Sequence, residues 1–194
     1  MFGGWSGGLR KRRAVLLALT AAVSALLAPV PVVGNQTASP TEVKAAFLYN
    51  FAKFVEWPPE ASGTTTINVG VWGSDALGDA LRAVVRDKTV GGRGFAVKRP
   101  ADVDDLGALH MLFIGDEEKG RVPEILKRVD GLSVLTVSDI DRFCDMGGAI
   151  TLVVENSHVR FDVRLDAAQR SRLRVSSKLL NLARTVHGAK QGDR

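Results

Sequence analysis

The chain has 194 residues, a length that suits one domain of ordinary size with an extension at one end. Lys and Arg outnumber Asp and Glu by 26 to 21, which gives a formal net charge of +5 at pH 7. Cys144 is the only cysteine, so the chain cannot form an internal disulfide and its core must stabilise it. Such a thiol is most often a small buried hydrophobe, and the alternative is a redox-active group.

The N-terminal segment has the pattern of a secretory signal peptide. Four basic residues, Arg10–Arg13, precede an apolar run over Ala14–Ala28 that is shorter than the roughly 20 residues of a membrane-spanning helix. We therefore expect residues 1–34 to be removed on export, leaving residues 35–194 as a single periplasmic domain. Removal takes four basic and no acidic residues, which leaves 22 basic against 21 acidic. This balance does not favour a nucleic-acid surface.

The first element of the mature chain is a helix with an N-terminal capping signal. "SPTE" at Ser39–Glu42 supplies a capping hydroxyl, a proline at the first helical position and a glutamate three residues after the cap. The apolar surface that follows, through Phe54, is broad enough for a helix that covers the core. The alternative is a ligand-lining or partner-facing role for residues such as Tyr49 and Trp57.

Strands and helices then alternate along the chain. Short apolar segments predict the strands, and two of the segments between them predict helices. We expect Pro123 to delay the start of the second helix or to kink it. The predicted order is strand Thr66–Trp72, helix 74–86, strand 95–99, strand His110–Gly115, helix 116–129 and strand Leu132–Asp139.

The C-terminal part predicts a hairpin followed by helix. "AITLVVE" and "HVRFDVRL" alternate with period two and are joined at Asn156-Ser157, which is typical of a β-hairpin. A helix is expected over Asp166–His187, with a break near Val175. The fold class is therefore α/β, a mostly parallel sheet with an antiparallel C-terminal hairpin at the edge and helices on both faces.

Motifs for catalysis, metals and nucleotides are incomplete. "GSDALGDA" has the frame of a phosphate loop, but Asp79 and Ala80 occupy the positions of the Lys and Ser/Thr that the phosphate requires. The three histidines lie far apart and none belongs to a metal-ligand motif; His110 is expected in the core or at a strand edge. We expect no catalytic residues, no metal and no cofactor. A hydrolase with a dispersed site remains one alternative.

The residues favour two kinds of binding site. A small-molecule pocket would be lined by Trp72, Phe113 or Phe143, as in a periplasmic binding module that feeds a transporter or sensor kinase. A protein-docking surface is favoured by charge, because residues 160–194 hold nine basic and three acidic residues. Because side chains alternate between the two faces of a strand, three charged side chains of the second hairpin strand project from the same face. Three arginines that follow this strand extend the charged surface. The six residues are Arg160, Asp162, Arg164, Arg170, Arg172 and Arg174.

Three blocks of the mature chain together resemble the YfiR-like family of periplasmic proteins. They are "KAAFLYNFAKFVEWP", "VLTVSDIDRFCDMGGAITLVVENSHVRFDV" and "LDAAQRSRLRVSSKLLNLARTV". The resemblance implies a compact α/β domain without catalytic activity that binds the periplasmic sensor domain of an inner-membrane diguanylate cyclase and holds it inactive. Cyclic-di-GMP and biofilm formation would then respond to envelope conditions. An outer-membrane lipoprotein and a second copy of the chain are further candidate partners. YfiR itself uses cysteine pairs, so the single Cys144 argues against disulfide-dependent redox sensing here.

Overall fold

A computed structural model describes residues 38–188 of the chain. The predicted signal peptide and its cleavage point lie outside the described residues. The first helix, α1, spans Pro40–Phe54. Its capping box is formed as predicted, because Glu42 N–H donates to Ser39 Oγ at 3.2 Å and Ser39 N–H donates to Glu42 Oε2 at 2.7 Å.

The described residues form six α-helices, nine strands and two 3₁₀-helices. The α-helices are α1, α2 Pro59–Ser62, α3 Asp75–Val85, α4 Val122–Val129, α5 Leu165–Arg170 and α6 Ser177–Leu180. The strands are β1 Val55–Glu56, β2 Thr66–Trp72, β3 Gly94–Lys98, β4 Met111–Ile114, β5 Leu135–Ser138, β6 Ile150–Glu155, β7 His158–Arg164, β8 Arg174–Val175 and β9 Thr185–His187. The 3₁₀-helices are Val103–Ala108 and Asp116–Arg121.

Seven strands form one sheet in the order β3-β2-β4-β5-β6-β7-β9. The first five are parallel, β7 runs antiparallel to β6, and β9 is parallel to β7. The fold is therefore the predicted mostly parallel α/β sheet. The β6–β7 hairpin lies towards one edge of this sheet, and the short β9 forms the edge itself. β1 and β8 pair separately as a two-stranded antiparallel sheet.

The core has two parts, one on each face of the sheet. Along β4, Met111 and Phe113 belong to the part that α1, α3, α5 and α6 cover, whereas Leu112 and Ile114 belong to the part that α4 covers. This alternation is the period of an extended strand that is buried on both faces. Pro123 lies at the start of α4, after the 3₁₀-helix, so the predicted delay of this helix is confirmed.

The prediction of a helix over Asp166–His187 is wrong for most of its length. Only α5 and the single turn of α6 are helical there, and the remainder includes β8 and β9. Arg172 has a φ of 57°, a left-handed conformation that ends α5. Strand pairing then takes over, because β8 pairs with β1 and β9 pairs with β7. The predicted break near Val175 does lie within β8.

Candidate functional site

The hairpin of β6 and β7 extends beyond the parallel part of the sheet. β5 pairs with β6 only at Ile150 and Thr151, and β9 pairs with β7 only at Asp162–Arg164. Among residues 38–188, no third strand pairs with residues 152–160, which we call the hairpin arm. The arm therefore presents two free strand edges and two faces beyond the carboxyl end of β5.

The turn and the base of the arm hold it in place. Asn156 and Ser157, at the predicted turn, have φ values of 49° and 63°, as a two-residue type I′ hairpin requires. At the base, the ring of Phe161 lies 5.6 Å from that of Phe47 and 5.2 Å from that of Phe51, both on α1. Aromatic edge-to-face packing thus anchors the arm on the first helix.

The surface of the arm mixes apolar and basic groups. Val154 is 51% exposed, and Leu182, which is 68% exposed, lies three residues before the β9 residue that pairs with Asp162. Arg160 is exposed on the opposite face of the arm from Val154. Among residues 38–188, Arg160 forms no ion pair. The arm therefore carries an exposed apolar group on one face and an unpaired arginine on the other, and both kinds of group are typical of protein-binding surfaces.

Two of the six residues predicted for the docking surface are held inside the domain. Asp162 is only 8% exposed and accepts hydrogen bonds from Arg184, from Nε to Oδ1 at 2.9 Å and from Nη2 to Oδ2 at 2.5 Å. The Arg184 guanidinium lowers the pKa of the Asp162 carboxyl below its ordinary value. Arg164 is half-buried, 3.6 Å from Asp145 and 3.9 Å from Asp166. These groups organise the base of the arm.

Of the four remaining predicted residues, Arg160 lies on the arm, and the other three do not form one patch. Arg170 pairs with Asp166 of its own helix at 2.8 Å, and Arg172 pairs with Glu60 of α2 at 2.8 Å. Arg174 is exposed and lies in β8 opposite Glu56. Trp57, the residue after Glu56, donates its indole N–H to the carbonyl oxygen of His110, which immediately precedes β4. Arg174 therefore lies towards the amino ends of the parallel strands. Arg160 lies at the carboxyl end.

A polar cleft of about 230 Å³ lies against the base of the arm, and we call it the C-terminal cleft. Arg184 lines the cleft and pairs with both Asp162 and Glu155. Arg142 and Asp145, 2.9 Å apart, form part of its wall. The cleft offers both signs of charge and several donors, which suits a small polar or zwitterionic molecule. Its lining residues are Asp141, Arg142, Cys144, Asp145, Thr151, Val153, Asp162, Arg184, Thr185 and His187.

Most of this cleft is not predicted from the sequence. The predicted helix over Asp166–His187 includes Arg184, Thr185 and His187, although polar residues alternating around Val186 are a signal for a strand. Cys144 was singled out, and it lies at the cleft with 3% exposure. Its Sγ is 3.7 Å from the carbonyl oxygens of Ala149 and Asp162, and burial raises the pKa of its thiol. These features favour an unreactive buried group.

His110 is buried, as expected, and its ring faces mainly hydrogen-bond donors. Asn68 N–H donates to Nδ1 at 3.1 Å, so Nε2 carries the proton and donates to Ala61 O at 2.8 Å. A guanidinium nitrogen of Arg93 lies 2.6 Å from Nε2. Burial lowers the pKa of His110, and the positive charge of Arg93 acts in the same direction. A neutral ring is the form that fits this site.

The three aromatic residues predicted for a ligand pocket are separated by the sheet. Phe113 is fully buried on the α1 side, whereas Trp72 and Phe143 are buried on the α4 side. None of them lines the C-terminal cleft. Arg121 covers the ring of Trp72 at 4.7 Å. A pocket lined by these residues therefore stays a prediction that their placement does not favour.

The crevice in which doubly wound sheets bind nucleotides is filled by backbone in this chain. The crevice is expected between β2 and β4, where the strand order reverses. Gly115 N–H donates to Trp72 O at 2.7 Å, and a Cβ on Gly115 would lie 2.1 Å from Gly73 O.

Within residues 38–188, no group of three or more His, Cys, Asp or Glu side chains is arranged to hold a metal ion. No helix of that part of the chain is long and apolar enough to cross a membrane.

Comparison with known proteins adds one family and one fold. A family sequence model described as YfiR/HmsC-like matches residues 41–184. A solved structure of a conserved domain protein from Vibrio cholerae O1 biovar eltor str. N16961 is similar at a TM-score of 0.50 and 9% identity. The match covers 76% of this chain and 60% of that chain, so this chain spans less than two thirds of its length. At this identity the likeness concerns the fold alone.

Proposed function

Because the chain belongs to the YfiR/HmsC-like family, we propose that it is a periplasmic regulator that represses an inner-membrane diguanylate cyclase. It binds the periplasmic sensor domain of the cyclase and favours the inactive state, which lowers cyclic-di-GMP and biofilm formation. The observation that carries this proposal is the extent of the family match, which runs from the first turn of α1 to Arg184. It includes the hairpin arm and most of the lining of the C-terminal cleft.

We place the cyclase-binding surface on the hairpin arm. Arg160 supplies a free positive charge, and Val154 and Leu182 supply exposed apolar surface. Arg164 and Arg170 lie near the base of the arm, where their charges are shared with Asp145 and Asp166. The proposed surface is smaller than the six-residue surface predicted from the sequence, because Arg172 and Arg174 lie elsewhere in the fold. An acidic and partly apolar surface on the cyclase would complement the arm.

Repression requires a difference in affinity between two states of the cyclase. A regulator that binds both states equally does not shift the equilibrium between them. Moving that equilibrium from 1:99 to 99:1 requires a roughly 10⁴-fold higher affinity for the favoured state. A projecting arm with a fixed turn is suited to this task, because little conformational entropy is lost when it binds. The C-terminal cleft lies against the base of the same arm. A molecule bound there could alter the position of the arm through Asp162 and Arg184.

Deletion of the gene tests the proposal in the native host. We expect cellular cyclic-di-GMP, measured by mass spectrometry, to rise in the deletion strain and to return to the starting level with the full chain. A chain that lacks residues 1–34 should fail to restore it, because repression requires export. An unchanged cyclic-di-GMP level after deletion would contradict the proposal. An adjacent gene for a membrane protein with a GGDEF domain would support it.

The alternative function is a periplasmic small-molecule binding module that feeds a transporter or sensor kinase. The C-terminal cleft favours it, since its volume of about 230 Å³ and its mixed charges suit a small polar ligand. A thermal-shift screen with polar metabolites distinguishes the two functions. A ligand at 100 times its Kd adds about 2.7 kcal/mol to the stability. A reproducible shift without any effect of deletion on cyclic-di-GMP would favour this alternative.

A further inference from the structure

The outer edge of β3 is a free strand edge at the end of the sheet opposite to β9. No strand among residues 38–188 pairs with it. Gly94 N–H donates to Thr65 O at 3.2 Å on the β2 side. Strand alternation therefore directs the N–H and C=O groups of Phe95 and Val97 outwards. A row of such groups is a template for a further strand.

A groove of about 580 Å³ lies along this edge, between β3 and the last turns of α3. Phe95 and Val97 form its apolar floor, and both are partly buried against the core on the α1 side. Asp87 is the one acidic residue in its lining. The rim carries three exposed basic side chains, Arg82, Arg86 and Lys88.

The charges on the rim are largely unpaired. Arg82 pairs with Asp79 at 2.6 Å, and both side chains are exposed. Among residues 38–188, Arg86 and Lys88 form no ion pair, and Lys88 Nζ lies 4.8 Å above the ring of Tyr49. The floor itself is uncharged. A second copy of the chain on this edge would bring two basic rims together, and like charges oppose that contact.

We propose that the β3 edge binds an extended acidic segment of another polypeptide, which adds a strand to the sheet. Its backbone pairs with the outward groups of Phe95 and Val97. Apolar side chains at alternate positions contact the floor, and its carboxylates reach the basic rim. This inference does not rest on the repression proposed above, because it uses the edge of the sheet opposite to the hairpin arm.

Two labelled seven-residue peptides test the proposal on the exported domain. One alternates Glu with Val, and the other alternates Lys with Val. Fluorescence anisotropy should detect binding of the Glu peptide alone, and binding should weaken as salt is raised. Amide exchange followed by NMR should slow at Phe95 and Val97 when the Glu peptide is bound. Equal binding of both peptides, or protection confined to another part of the sheet, would overturn the proposal.

Variants of the edge and of the rim separate backbone pairing from charge. Val97→Pro removes an outward N–H that makes no bond to β2, a change that edge strands tolerate. We expect it to abolish binding of the Glu peptide. Arg86→Glu with Lys88→Glu should weaken binding about tenfold or more. Lys119→Glu with Lys127→Glu makes the same change in net charge on the α4 side and should have little effect.

The double variant Arg86→Glu with Lys88→Glu, which we call the rim pair, keeps the test decisive even if Val97→Pro fails to fold. Both substituted side chains are exposed, so the rim pair should fold. Circular dichroism and thermal unfolding should show that the rim pair and its control fold like the wild type. Binding by the rim pair at wild-type strength would overturn the acidic specificity. A concentration-dependent dimer that is lost in Val97→Pro would show that the edge pairs with a second copy instead.

Discussion

Replacing Arg184 with methionine should destabilise the domain, because the buried carboxylate of Asp162 then keeps its charge without the guanidinium that pairs with it. The side chain of Asp162 is 11% exposed and receives two hydrogen bonds from the guanidinium. Breaking a buried ion pair costs about 3–5 kcal/mol. The Arg184 side chain is 34% exposed, so solvent screening reduces the expected loss to about 2 kcal/mol. For a domain of this size, that loss lowers Tm by about 4–8 °C.

The pH dependence of this loss identifies its cause. Arg184 lowers the pKa of Asp162, so the pair stabilises the folded state only while Asp162 is ionised. Its contribution is complete above the ordinary aspartate pKa of about 3.9. It is lost as the pH falls through the lower folded-state pKa. The difference in unfolding free energy between wild type and Arg184→Met should therefore shrink in acid.

Urea unfolding at neutral and at acidic pH measures this difference. Arg160→Met is the matched control, since Arg160 is exposed and forms no ion pair within residues 38–188, and it should change stability by less than about 0.5 kcal/mol. Adding Asp162→Asn to Arg184→Met should recover part of the loss, because the amide is uncharged. A stability of Arg184→Met equal to wild type at pH 7 would refute this reasoning. So would a loss that stays constant in acid.

Three further predictions concern the core and the buried titratable groups. Phe161→Ala should cost about 3–5 kcal/mol in urea unfolding, because its ring packs against two α1 rings, and a loss below 1 kcal/mol would contradict that packing. Burial lowers the pKa of His110, so wild type should lose stability as the pH falls below about 6.5, and His110→Gln should lose less between pH 7 and pH 5. The Cys144 thiol should react with a disulfide reagent only after unfolding, and rapid labelling of the folded domain would contradict its burial.

Local signals in the sequence predicted much of the fold. The capping box of Ser39 and Glu42 involves residues three apart, so the start of α1 is visible without tertiary contacts. The turn at Asn156-Ser157 joins two strands with period-two alternation, and both strands formed where that pattern predicted them. In both cases the interactions that determine the structure lie within a few residues of each other.

Tertiary pairing overrode the local pattern in the last quarter of the chain. Residues 166–187 have helical composition, but Val175 pairs with Val55 of β1 and Val186 pairs with Val163 of β7. Such pairings between distant segments cannot be inferred from helix propensity. The break follows Arg172, whose left-handed φ is not signalled by a glycine or asparagine.

The candidate site was predictable only in part, for the same reason. Arg160 lies on an exposed strand face, as the alternation predicts, but the partner of Asp162 is Arg184, the residue before β9, in a segment that the sequence predicts as helix. The register between strands decides which aromatic residues share a face. Val71 pairs with Phe113 across β2 and β4, so Trp72 faces the opposite side of the sheet from Phe113. A sequence alone does not contain this register.

Site-specific photo-crosslinking tests the central claim most directly. A photo-reactive amino acid in place of Arg160 lies on the hairpin arm, whereas one in place of Arg174 lies towards the other end of the sheet, with both positions exposed. After irradiation of living cells, mass spectrometry identifies the captured membrane protein. We predict that position 160 captures a membrane protein with a GGDEF domain through its periplasmic part and that position 174 does not. Capture of that protein from position 174 alone, or from neither position in cells in which the chain represses cyclic-di-GMP, would contradict it.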